Sequence, residues 1–109
     1  MDKLKLVVSA LEDKKARDID VLDVSELTSL GDYFIICTCS SNVQVRACVD
    51  NVEEKLKEIG ITDVHKEGYT GGTWVLMDVD GIIVHIMQEQ TRDFYSLERL
   101  WDDAKKVEI

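Results

Sequence analysis

The chain contains no proline, no low-complexity tract and no internal repeat. Nothing in it reads as a linker, so the expectation is one domain over 1–109. No apolar run approaches the roughly 20 residues a membrane-spanning helix needs. The opening stretch MDKLKLVVSALEDKK is interrupted by Lys5 and returns to charge at Glu12, which is not the pattern of a secretory signal peptide. It also lacks the Arg- and Ser-rich character of a transit peptide, and a cytosolic protein is expected. Cysteine is scarce: three residues, an odd number at no framework spacing, fit a reducing compartment. Positive charge is short as well, with 13 basic against 22 acidic residues and a net charge of −9. Binding to a phosphate backbone rests on a Lys/Arg patch that releases counterions, so direct nucleic-acid binding is not expected. The natural complement of such a chain is a basic protein partner.

What is present suits an ordinary globular domain, with 45% hydrophobic and 32% charged residues. A chain of this length buries roughly two thirds of its unfolded surface, enough for one core without staples. Leu4, Val7, Val8 and Leu11 follow the i, i+3, i+4, i+7 pattern of an amphipathic first helix, with Lys14, Lys15 and Arg17 in its last turn. Residues 18–24 read as a strand, with Ile19, Val21 and Asp23 on one face and Leu22 and Val24 on the other. A turn or short helical loop (25–32) leads to YFIICTC (33–39), a continuous apolar run of β-formers typical of a strand buried on both faces. The best-defined helix covers 41–59: Ser41 and Gln44 form a capping box, Val45, Val49, Val52, Leu56 and Ile59 make its stripe, and Gly60 stops it. With a strand at 61–67 this predicts a right-handed βαβ unit. After a loop at 68–72 and a hairpin at 73–87, the C-terminal stretch should form one or two short helices, the second capped by Ser96. The order α-β-β-α-β-β-β-α predicts an α/β (α+β) fold, a mixed five-stranded sheet with helices packed on it.

Asp80-Gly81 is a two-residue hairpin turn, and it dictates register. Val79 then faces Ile82, Asp78 faces Ile83, Met77 faces Val84, Leu76 faces His85, Val75 faces Ile86 and Trp74 faces Met87. Because side chains alternate, one face collects Val75, Met77, Val79, Ile82, Val84 and Ile86, an apolar core face. The other collects Trp74, Leu76, Asp78, Ile83, His85 and Met87. Two readings compete for this second face. A terminal helix covering it would make it a second core layer. Against full burial stand Asp78 and His85, and Trp, Met and Leu beside polar tips suit the centre of a protein-binding surface.

Chemistry is thinly represented. The acids Asp18 and Asp20 resemble half of a nucleotidyltransferase metal site, which needs a third carboxylate and an upstream glycine turn to hold phosphate, but no glycine precedes Gly31. Solvated acids at a helix-to-strand junction are the simpler reading. Cys37, Cys39 and Cys48 lack the ligand number and spacing of a zinc site and read as core thiols. GYTGGT is no phosphate-binding Walker loop, lacking the Gly-Lys-Ser/Thr ending. His85 and Glu89 have no nucleophile with an adjacent base near them. No catalytic, cofactor or metal residue is assigned, and no enzyme is expected.

Several segments together carry a resemblance. Residues 10–47 (ALEDKKARDIDVLDVSELTSLGDYFIICTCSSNVQVRA), then EGYTGGTWVLMDVDGIIVHIMQE and FYSLERLWDDA, resemble the ribosomal silencing factor family, also called Iojap-like proteins. The match runs from about Leu4 to Ala104 in unbroken order and departs from the usual pattern at Thr38-Cys39 and at Gln88. The resemblance implies a nucleotidyltransferase-like fold without the catalytic carboxylates. It implies a translation repressor that binds the large ribosomal subunit through its universal large-subunit protein fourteen, blocks joining of the small subunit and holds translation down when nutrients are scarce. It also makes sense of the acidity, since ribosomal proteins are basic. The short N-terminus suggests a bacterial cytoplasmic member. On this reading the partner-binding residues are Trp74, Leu76, Asp78, His85 and Met87, with Glu89 and Tyr95 at the rim. A second copy of the chain is a candidate cover for that face when the ribosome is absent.

Overall fold

Ser41 shows how local chemistry sets the elements. In the computed structural model, which describes residues 2–29 and 31–108, its hydroxyl accepts the Gln44 N–H at 3.1 Å and opens helix α2 (Asn42–Glu58). The reciprocal bond of a capping box shifts by one residue, because the Gln44 side chain accepts from the Ser40 N–H. The helix stops at Gly60, where the Ile61 N–H returns to the Leu56 carbonyl and the Gly60 N–H to Lys57. Helix α1 (Asp2–Asp13) closes the same way one residue type less comfortably: Lys15 takes the left-handed conformation (φ 68°), and Ala16 N–H bonds the Leu11 carbonyl. Lys14 and Lys15 therefore lie past the helix, and Arg17 belongs to strand β1 (Arg17–Asp23), not to a last helical turn.

The remaining elements are β2 (Tyr33–Cys39), β3 (His65–Glu67), β4 (Trp74–Val79), β5 (Ile82–Gln88), α3 (Glu89–Tyr95), α4 (Leu97–Leu100) and β6 (Lys105–Lys106). They form a mixed α+β fold with a sheet of six strands in the order β3-β4-β5-β2-β1-β6. The expected five strands are joined by β6, a two-residue edge strand paired with Leu22 and Asp23. Among the described residues only β2 and β5 pair in parallel, and the other neighbouring strands pair antiparallel. The anticipated βαβ unit is therefore wider than expected. β3 runs in the same direction as β2 but lies three places away, and the strand that pairs in parallel with β2 is β5. Strand β3 also spans three residues, much less than 61–67.

The hairpin register is the expected one at all six pairs, from Trp74↔Met87 to Val79↔Ile82. Asp80 (φ 49°) and Gly81 (φ 89°) both take positive φ, as a type I′ turn requires. In β1 a bulge between Arg17 and Asp20 puts Asp18 at φ 51°, so Asp18 and Asp20 do not stand as a regular i, i+2 pair.

Two apolar layers result. The inner layer fills the space between the sheet and the paired helices α1 and α2: Leu4, Val7 and Leu11 from α1, Val45, Val49, Val52 and Leu56 from α2, and the aliphatic face of the hairpin. Asn51, the buried polar residue of this layer, donates to the Ala10 carbonyl at 2.8 Å and satisfies one of the last acceptors of α1. The outer layer holds Leu22, Val24, Phe34, Ile36, Ile83, Met87 and Leu97, with Trp74, Leu76, Trp101 and Ala104 packed at its margin.

Candidate functional site: a half-covered sheet face

The outer layer exists because the C-terminal segment folds back across the sheet. Leu97 and Trp101 join it, and the Trp101 ring meets Phe34 edge-on at 5.1 Å. Arg92 of α3 fastens this segment. Buried at 8% exposure, it donates to the Asp20 carboxylate (2.8 Å), the Thr38 hydroxyl (2.9 Å) and the Asp18 carbonyl. A guanidinium thus engages Asp20, the carboxylate a metal would use, and among the described residues no group of three or more His, Cys, Asp or Glu side chains could hold a metal ion. The three cysteines are buried and free, with Cys39 and Cys48 sulfurs 3.7 Å apart. Hydrogen bonding to Cys39 and burial hold the Cys37 and Cys48 thiols above their usual range.

The cover stops at β5. On β4 the outward residues Trp74 and Leu76 stay half-buried and Asp78 is exposed; on the edge strand β3, His65 stands opposite Asp78 and Glu67 opposite Leu76, both exposed. At the boundary between covered and open halves lies an aromatic cluster. Tyr95 sits 4.9 Å from Trp74, ring centre to ring centre, and Phe94 packs edge-on against Tyr95 at 5.0 Å. Phe94 is 79% and Tyr95 51% exposed. Gly68 (φ +85°) makes room behind the cluster, since a Cβ there would come within 2.3 Å of the Trp74 carbonyl oxygen.

The seven residues expected to meet a partner are not all in one place. Trp74, Leu76 and Tyr95 come together on the open face. Asp78 lies on the same face but four residues along the strand, about 13 Å away from Trp74. Met87 is fully buried and His85 is 5% exposed, both beneath the C-terminal segment, so neither presents a side chain to a docking partner. The second-core reading of this face therefore holds for β5 and the open-surface reading for β4. Glu89 accepts from Arg17 at 2.9 Å, on the β1 side of the sheet away from β4.

His85 nevertheless contributes from below. Its Nδ1 accepts the Trp74 indole N–H at 3.1 Å, and burial lowers its pKa to about 4, keeping the ring neutral. Phe94 was missed as a site residue for a physical reason. Spacing 94, 97, 101 suggests one continuous apolar helix face, but Ser96 at φ 47° breaks the phase between α3 and α4 and leaves Phe94 facing water. Ser96 does mark the junction; its hydroxyl donates back to the Asp93 carbonyl and not forward into α4.

Comparison with known proteins gives this surface a context. The family model described as "Ribosomal silencing factor during starvation" matches residues 1–109. The chain is 46% identical over 101 residues to the ribosomal silencing factor RsfS of Chromobacterium violaceum, covering 93% of this chain and 83% of that one. It is 36% identical over 106 residues to RsfS of Bacillus subtilis, covering 97% and 90%. A crystal structure of a Chromobacterium violaceum protein superposes with a TM-score of 0.88 at 45% identity, over 93% of this chain and 84% of that one. The chain belongs to the ribosomal silencing factor family, a family of ribosome-associated translation regulators.

Proposed function

We propose that the open half of the outer sheet face docks on the large ribosomal subunit through its universal large-subunit protein fourteen, and that the bound domain sterically prevents the small subunit from joining. The observation that carries this reading is the aromatic cluster of Trp74, Tyr95 and Phe94, beside Leu76, on an otherwise charged surface. Clustered exposed aromatics flanked by polar residues are the composition of a binding centre. Exposed Glu67, opposite Leu76, and Asp78, farther along β4, lie on the same open half, and the net charge of −9 suits a basic ribosomal protein better than RNA. The chain acts as a binding module in the cytoplasm, lowering translation when nutrients are scarce. A second copy covers the same face when the protein is free, which sedimentation equilibrium of the protein alone would detect as a dimer.

The decisive experiment is sucrose-gradient sedimentation of purified ribosomal subunits with added protein. Co-migration with the large subunit and loss of joined ribosomes is the expected result; unchanged joining at saturating protein would sink the proposal. Trp74→Ala should lower the affinity for large subunits by roughly thirtyfold, the effect of removing about 2 kcal/mol at a desolvated aromatic anchor.

A further inference from the structure

His85 is costly to the fold. In a neutral imidazole whose Nδ1 accepts a hydrogen bond, the proton sits on Nε2, and the buried Nε2 has no partner among the described residues. An unpaired buried donor destabilises a folded chain, and an apolar side chain of similar size would avoid it. The neighbouring outer-layer positions Phe34, Ile36, Ile83 and Met87 are all apolar. What the imidazole adds, and no hydrocarbon could, is one acceptor aimed at the indole of Trp74.

Trp74 needs such a partner. It stands at the margin of the covered half, half-buried, with Tyr95 against it and no apolar layer over its open side. The bond to His85 turns the nitrogen edge of the indole inward and its carbocyclic edge away from His85. We infer that His85 is a positioning residue for docking: it touches no partner, and through its Nδ1 it holds the Trp74 side chain, before the encounter, in the orientation the partner meets. The inference rests on the reading that the Trp74 face docks. Its physical benefit is preorganisation, since an anchor already ordered in the free protein loses less freedom on binding.

Stability and affinity should therefore move apart at this position. His85→Leu removes the acceptor and the orphaned donor together; it should unfold at a urea concentration no lower than the wild type, yet bind purified large ribosomal subunits about tenfold more weakly. In 15N spectra its Trp74 indole N–H, identified by its absence in Trp74→Phe, should exchange rapidly with water. His85→Asn places an amide oxygen where Nδ1 was, and should restore both slow exchange and most of the affinity. Wild-type affinity in His85→Leu, or equal losses in the Leu and Asn variants, would overturn the inference. Trp74→Ala run in parallel separates the two failures: normal binding by that variant removes the docking reading and the inference with it. Weak binding by Trp74→Ala beside normal binding by His85→Leu removes the inference alone. Should His85→Leu fail to fold, His85→Gln, which carries its acceptor one bond farther out, replaces it against His85→Asn with the same expected ordering.

Discussion

The two faces of this one sheet differ in how completely they are covered, and the hairpin of β4 and β5 shows it most directly. On the inner face Val75, Met77, Val79, Val84 and Ile86 are all fully buried against α1 and α2. On the outer face β5 is covered, whereas β4, one strand over, keeps Trp74 and Leu76 half-open and Asp78 in water. Two strands of one hairpin, joined by a two-residue turn, thus differ by a whole layer of protein. The inner face is finished by long helices whose stripes match the sheet. The outer face is finished by a short C-terminal segment fastened by Arg92, by Leu97 and Trp101 in the outer layer and by the pairing of β6 with β1, and it ends before the sheet does. Stability is concentrated where cover is complete, and the proposed docking surface lies where it stops.

That contrast has measurable consequences. The largest effect belongs to the inner face. Ile86→Ala should cost roughly 4 kcal/mol in urea unfolding, the range for emptying a fully buried aliphatic site, while Leu76→Ala on the open half should cost less than about 1 kcal/mol. Equal losses would mean that β4 is covered on both sides. Next comes the fastening of the outer layer. Arg92→Met strands the Asp20 carboxylate and the Thr38 hydroxyl and should cost about 3 kcal/mol. Hydrogen exchange should then accelerate in α3 and α4 but not in α1 or α2. Uniform acceleration would show that the two layers unfold as one.

The third consequence is a pH dependence confined to the outer layer. His85 has a folded pKa of about 4, below the ordinary value of 6.5, with burial as the cause. As pH falls from about 6.5 the unfolded chain takes up the proton first, so stability declines until about pH 4 and then levels; the full loss is about 3 kcal/mol. Comparing urea midpoints of wild type and His85→Leu between pH 7 and 4 isolates this contribution from the carboxylates, and parallel curves would contradict it. The smallest effect on stability is expected at Phe94. Phe94→Ala should leave unfolding within about 0.5 kcal/mol of wild type while weakening association with large ribosomal subunits. A stability loss there would place the ring in the fold and not on the docking surface.

Much of this architecture can be read from local pattern. The N-cap at Ser41, the apolar run of β2 and the Asp80-Gly81 turn each depend on neighbours a few residues apart, and each appears where expected, although the return bond of the Ser41 capping box lands on the Ser40 N–H. The hairpin register follows from the same kind of information: a two-residue turn and a period of two leave one alignment, and all six pairs obey it. The site was legible only in part. Trp74, Leu76 and Tyr95 do share a surface, but Met87 and His85 lie under it, and Glu89 is drawn off to Arg17. Period-two reasoning separates the faces of a hairpin correctly and is silent about what lies on each.

Turn chemistry and side-chain periodicity, both properties of short segments, therefore established most of the elements and the hairpin alignment, while the family rests on the resemblance that several motifs carry together along the chain. Which half of the outer face stays open was settled by contacts between residues far apart in the chain. Arg92 reaches back to Asp18, Asp20 and Thr38, and the left-handed residue Ser96 resets the helix phase so that Leu97 and Trp101 cover β5 and β2 while Phe94 turns to solvent. No local period encodes such contacts, because their free energy is gained only when the sheet already stands beneath the C-terminal segment.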